Sequence, residues 1–259
     1  MLILGVYHKR KLHSKLGPAL ASPALQANHS FNWRSKHARL NPLHPARPRM
    51  RDLASIPSAN TERHPMKLFY CPFACSLADH IALEEAGIDF ERERVDLKSK
   101  MTATGRNYNE LTSKGYVPAL ELDNGEILTE NVAILDWIAS HYPKLGVRGE
   151  LGRTRLLETL AYISTELHRS LRPLWHSASA QEMEDARSAI ETRLGYLSES
   201  LAGDYLFGDD VTVADCYLFV MLLWAERFGL EAPRPLLAFR ERMRARPAVK
   251  VALAVEGLS

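Results

Sequence analysis

The chain's 259 residues are 46% hydrophobic and 25% charged, a globular composition long enough for one sizeable core or two small ones. A formal charge of +2 hides a leader balanced at +9 over residues 1–65 and a body that sums to −7, so the folded part is not a non-specific nucleic-acid binder. Three cysteines cannot all pair, which excludes a disulfide framework, and the longest apolar run, Cys216 to Ala225, is about half the ~20 residues of a membrane span.

The leader, residues 1–65, holds seven of the 14 prolines and six of the ten histidines. No helical or alternating apolar period persists in it, so it buries too little to recover its ordering entropy, and disorder is the expectation. Three origins fit: an upstream stretch carried into the reading frame ahead of Met66, a genuine flexible tail, or an Arg-rich, acid-poor targeting peptide. The opening MLILGV puts apolar residues before the positive cluster, the wrong order for secretion. Its histidines lack metal-site spacing.

From Met66 the style changes to alternating short strands and helices. Lys67 to Tyr70 predicts a strand, Ser76 to Ala86 a helix closed by a left-handed Gly87, and Phe90 to Val95 a second strand. A loop with a short helical piece covers Met101 to Leu111. Asp123-Asn124-Gly125, flanked by Ala119–Leu122 and Glu126–Leu128, predicts a hairpin, because Asn124 and Gly125 both tolerate positive φ. A helix over Asn131–His141 completes β-α-β-α-β-β-α. Beyond Tyr142-Pro143 everything reads helical. Leu156, Leu160, Ile163, Leu167, Leu171 and Leu174 form one stripe at steps of three and four. Met183, Ala186, Ile190, Leu194, Leu197 and Leu201 form a second. Thr212 and Asp215 make a capping box that opens an all-apolar helix, expected at the centre of its domain. Pro233 and Pro235 precede a last helix over about 236–244. The expected organisation is a leader over 1–65, an α/β domain over 66–143 and an all-helical domain over 152–259.

Cys75 is the first candidate for chemistry. A cysteine between strand and helix, at a helix N-terminus, meets the positive end of the macrodipole and free N–H groups, both favouring thiolate; the competing reading is a small buried apolar residue. Cys71 and Cys216 read as packing residues. Val117-Pro118 precedes the third strand, where proline costs no ladder bond and, taken alone, reads as an ordinary trans proline. Thr129-Glu130-Asn131 opens a helix whose free N–H groups suit an anion, with Asn131 able to cap it. His168 falls one residue off the apolar stripe.

In combination these segments carry a resemblance. Met66 onward resembles the bacterial beta class of cytosolic glutathione S-transferases. The matching patterns are Y-x-P-x-A/S-C-S-L (Tyr70–Leu77), V-D-L (Val95–Leu97), K-G-x-V-P (Lys114–Pro118) and L-x-L-D-N-G-E-x-L-T-E (Leu120–Glu130). E-L-H (Glu166–His168), D-x-x-T-V-A-D-x-Y-L-F (Asp209–Phe219) and R-P-A-V (Arg246–Val249) follow. The resemblance implies a thioredoxin-like N-terminal domain with a mixed sheet, an all-α C-terminal domain, a cytoplasmic homodimer, and no metal, nucleic-acid or membrane partner. Glutathione, as co-substrate, would lie between the domains and be joined to a small hydrophobic electrophile.

Residue by residue, the resemblance makes Cys75 the active-site cysteine beside the glutathione sulfur. Val117, before a cis Pro118, would pair its backbone with the cysteinyl unit. Glu130 and Asn131 would grip the γ-glutamyl end, and Lys100 would sit near the glycine carboxylate. His168, with Thr165 and Glu166, would approach the thiol from the second domain; Pro118, Thr212 and Asp215 would be structural. The sequence departs from the family pattern at Thr112-Ser113, Tyr116, Ala161, Phe73 and Ala74, and at Asn131, which stands where serine, alanine or glycine is common but keeps a capping side chain. Tyr116 and Ala161 stand where the family has a glutamine and an asparagine, and each replacement would weaken glutathione binding by about 1 kcal/mol. Three activities follow: conjugation by the glutathione thiolate, thiol–disulfide exchange through Cys75, or binding of glutathione or hydrophobes with little turnover.

Overall fold

Alternating burial along five short strands builds the first half. The computed structural model describes residues 65–176 and 178–258; residues 1–64 of the leader, where disorder was expected, lie outside them. Strands β1 (Lys67–Tyr70), β2 (Glu91–Asp96), β3 (Met101–Thr102), β4 (Ala119–Glu121) and β5 (Ile127–Thr129) assemble in the order β3-β2-β1-β4-β5. β1 runs parallel to β2 and antiparallel to β4; the other two pairings are antiparallel. Central β1 is buried on both faces. Leu68 and Tyr70 join the main core, while Phe69 packs with Val95, Tyr108, Val117 and Ala119 on the opposite face.

Helix α1 (Leu77–Ala86) ends, as its sequence predicts, at Gly87 with φ 71°, the left-handed region a side chain would disfavour. The short α2 (Tyr108–Leu111) covers the Phe69 face, and α3 (Asn131–His141) lies with α1 on the main-core face. One expectation needs correction here. The loop after β2 contains β3, whose two residues pair with Val95 and Asp96 and carry no pattern of their own. The hairpin closes over the three residues expected. Gly125 N–H bonds Leu122 O at 2.9 Å and Leu122 N–H bonds Glu126 O at 2.8 Å, which leaves Asp123-Asn124-Gly125 as a three-residue loop. Only Gly125 takes a positive φ, the turn-plus-bulge solution.

The second half is helical: α4 (Gly152–Tyr162), a π-helical turn (Ile163–His168), α5 (Arg169–Trp175), α6 (Ala180–Glu199), α7 (Val213–Arg227), α8 (Arg234–Ala245) and α9 (Pro247–Val255). Every residue of α7 from Val213 to Ala225 is buried, as an apolar-all-round helix at a domain centre must be. Its capping box forms. Asp215 accepts Thr212 N–H at 2.8 Å, the Thr212 hydroxyl at 2.7 Å and Leu206 N–H at 2.9 Å.

The first stripe is buried from Leu156 to Leu171. In the second, Met183 is exposed near the start of α6, contrary to expectation. The chain also continues past the expected last helix into α9, which Pro247 starts at a position where its missing N–H is no loss. Among the described residues no helix is long and apolar enough to cross a membrane.

Candidate active site

Cys75 sits two residues before α1, with Ser76 as the N-cap. Its thiol donates to Val117 O across 3.7 Å, and its carbonyl accepts Asn131 Nδ2 at 3.0 Å. Three separate stretches, the β1–α1 loop, the segment before β4 and the start of α3, therefore meet at one cysteine. The Val117-Pro118 bond is cis, where proline alone would be expected trans. Val117 stands two residues ahead of β4, outside the ladder. Asn131 occupies the first turn of α3 rather than its cap, which is Glu130. Its side chain turns to Cys75, and its buried Oδ1 has no partner among the described residues.

The thiolate expectation fails for a physical reason. N–H groups at Cys75 and Ser76 do favour the anion, but burial outweighs them and, with the Asp79 carboxyl, pushes the thiol up to about 12. Asp79 is itself fully buried, and neither oxygen has a partner among the described residues. Burial pushes its carboxyl well above the usual range.

Around this centre, Glu130 (φ 74°) accepts Lys114 Nζ at 2.5 Å and Tyr116 OH at 2.8 Å; the two donors hold its carboxyl below its ordinary range. The tyrosine at 116 thus braces Glu130. Lys100, also at positive φ, donates to Gly115 O at 2.6 Å.

From the helical half, only His168 of the Thr165-Glu166-His168 set faces inward. Ser164, His168, Arg172 and Trp175, spaced four, four and three residues apart, line one side of a cavity of about 880 Å³. Thr165 is exposed and bonds back to Ala161 O, and Glu166 pairs with Arg193 of α6 at 2.8 Å; neither lines the cavity. His168 Nδ1 is 2.7 Å from Tyr217 OH, and burial pushes its pKa down to about 4. The opposite side is Pro72-Phe73-Ala74, directly ahead of Cys75.

Phe73 is the seam between the halves. It takes φ 61°, and two residues of the helical half grip its backbone. Glu256 accepts its N–H at 3.1 Å and Trp224 Nε1 donates to its C=O at 3.0 Å. Glu256 in turn is 2.9 Å from buried His80 Nδ1. Because His80 Nε2 accepts from Arg92 Nε at 3.0 Å, Nδ1 carries the proton that Glu256 accepts. Sequence reasoning missed Tyr217, Trp224 and Glu256. Tyr217 and Trp224 left one signal, a hydroxyl and an indole in an otherwise apolar helix, since such groups need partners when buried.

Residues 70–141 match the glutathione S-transferase N-terminal domain family, and residues 158–247 match the glutathione S-transferase C-terminal domain family. The chain belongs to the glutathione S-transferases. Glutathione S-transferase GstA of Escherichia coli O157:H7 is 42% identical over 200 residues, which are 74% of this chain and 100% of that protein. Two solved structures match equally well: a sphingomonad glutathione S-transferase complexed with glutathione, and the bacterial beta-class enzyme of Sphingomonas chungbukensis. Each is 42% identical with a TM-score of 0.70, across 74% of this chain and all of the other. Among the described residues no group of three or more His, Cys, Asp or Glu side chains is placed to hold a metal ion.

Proposed function

We propose that this transferase joins glutathione to small hydrophobic electrophiles. The glutathione thiol gives up its proton, its sulfur forms a bond to the electrophilic carbon, and the leaving group departs with its electron pair. The observation that carries this reading is the meeting of Val117, Asn131 and Cys75 beside an open cavity. Val117, uncommitted to the ladder, suits strand-like pairing with the tripeptide. The bare, buried Asn131 Oδ1 is an acceptor awaiting a donor. Braced Glu130 offers a carboxylate to the γ-glutamyl ammonium, and Lys100 lies toward the glycine end.

The state of Cys75 favours conjugation over thiol–disulfide exchange. Attack by a protein sulfur requires thiolate, and a thiol pushed up to about 12 is protonated at neutral pH. Cys75 therefore serves as an S–H donor beside the glutathione sulfur. Cys75→Ser tests this: conjugation retained within about tenfold supports it, whereas loss of disulfide reduction from a robust starting rate overturns it. Calorimetric titration with glutathione alongside steady-state conjugation excludes or supports a low-turnover binder. The same reading includes a cytosolic homodimer, which light scattering checks by mass.

A further inference from the structure

Three arginines, Arg169, Arg172 and Arg227, line the cavity beside His168, and among the described residues no Asp or Glu does. Elsewhere in the helical half most arginines are compensated; among the described residues Arg187 and Arg234 also lack a carboxylate, but neither lines the cavity. Glu166, three residues before Arg169, is taken by Arg193, and Glu226, adjacent to Arg227, is taken by Arg240 at 3.1 Å and Arg244 at 2.9 Å. Among the described residues none of the three cavity arginines has a carboxylate within 4.0 Å. His168 adds no charge at neutral pH, because its burial holds it deprotonated.

Part of the remaining wall is an aromatic cluster. Trp175 packs edge-on to Trp224 at 5.2 Å and to Phe73 at 6.0 Å. The Arg227 guanidinium lies 5.5 Å from the Phe73 ring centre and 5.6 Å from that of Trp175. That double contact rests the exposed guanidinium against the rings, and among the described residues its N–H groups have no protein partner, a geometry suited to a planar oxyanion. All three arginines are exposed, so water serves them before a guest enters, and a guest that carries an anion replaces that water with a charged partner.

We infer that the electrophile this cavity takes is an aromatic or conjugated molecule bearing a carboxylate, its ring against Trp175, Trp224 and Phe73 and its anion on Arg227 with Arg169 and Arg172. This rests on the conjugation reading and narrows its substrate class. The chemistry is unchanged: with an aryl chloride, the glutathione sulfur bonds to the ring carbon, chloride leaves with the bonding pair, and the thiol proton passes to solvent.

The test compares a chlorodinitrobenzoate with the matching chlorodinitrobenzamide. Each kcat/KM is divided by the spontaneous rate with glutathione, so that intrinsic reactivity cancels. The benzoate should be preferred about tenfold, and raising the salt to about 0.5 M should shrink that preference by screening. Arg227→Met, and separately Arg169→Gln with Arg172→Gln, should each bring the ratio toward parity. The ratio is read within one protein, so a fall in total activity does not mimic the result. Quenching of tryptophan fluorescence by the chlorine-free dinitrobenzoate and dinitrobenzamide gives the same comparison without turnover. Equal treatment of the two compounds by the unaltered chain, or a preference surviving both variants, overturns the inference. If neither compound is conjugated yet the dinitrobenzoate still binds more tightly, the conjugation reading falls and the charge selectivity stands.

Discussion

The two walls of the crevice are made of different material. Behind its sheet side, Pro72-Phe73-Ala74, the polar groups are backbone atoms and short side chains, Val117 O, Asn131 and Cys75, placed by strand ends and a helix start. On the helical side they are long side chains, Arg172, Trp175 and Arg227, carried on α5 and α7. Backbone-built geometry moves only if the fold moves, whereas a face of side chains is rewritten by single substitutions. The sheet side thus suits an unvarying co-substrate and the helical side a selectable one. Phe73 joins them, its N–H and C=O both held from the helical half.

The largest expected effect comes from cutting that joint. Glu256→Ala strips the acceptor from both Phe73 N–H and His80 Nδ1–H, in surroundings where the His80 and Glu256 side chains are fully buried. A buried partner left alone costs about 3 kcal/mol, readable as a lower urea midpoint at unchanged m-value, together with a fall in conjugation. A variant that keeps wild-type stability would show that the walls are coupled by packing alone.

Next comes Asp79. Its carboxyl is pushed up in the folded protein, so the unfolded chain releases that proton first, and stability is lost as pH rises above the ordinary Asp range near 4. Asp79→Asn removes the penalty. The variant should match the wild type in acid and exceed it by a growing margin as pH rises above the ordinary Asp range. A stability difference that does not change with pH would refute the upward push on the Asp79 carboxyl. Asp215 is the contrast: equally buried, it accepts three hydrogen bonds, and burial raises it only to about 6.

What could be read from the sequence divides along the same line. Helix α1 with its Gly87 cap, the capping box at Thr212 and the central α7 were legible because each is encoded within a few consecutive residues. Strand β3 was not, since two residues cannot display a period and its existence depends on β2. The end of the chain hid α9 because Pro247 reads as a stop as readily as a first helical position. At the site, Cys75 was legible but its protonation state was not. The helix terminus is local, whereas burial and Asp79 depend on α7 packing against α1. Nothing in a linear reading places Arg227 over Phe73, 154 positions earlier.

A smaller effect separates the contributions of Asn131. Asn131→Ala removes the donor to Cys75 O and the bare acceptor together, and glutathione should bind about five- to tenfold more weakly by calorimetry, with little change in the preference between electrophiles. A variant that alters electrophile preference more than glutathione affinity would mean that the two walls are not separable.

The smallest expected effect is on the shape of a pH profile. His168 is held between the rings of Tyr217 and Trp224, at 5.9 and 5.0 Å, with Nδ1 paired to the Tyr217 hydroxyl. Burial lowers its pKa to about 4, so the ring is neutral wherever the enzyme is assayed near neutrality. Between that value and the ordinary one near 6.5, the unfolded chain binds a proton that the folded chain does not. Stability therefore falls as pH drops through this window. Activity, by contrast, should show no inflection from His168 between about pH 5.5 and 8. His168→Gln should lower the rate but leave the profile's shape alone, because a neutral hydrogen-bonding group replaces another. An inflection near pH 6.5 that disappears in His168→Gln would mean the ring titrates in the working enzyme. The helical wall would then carry a switchable charge in addition to its arginines.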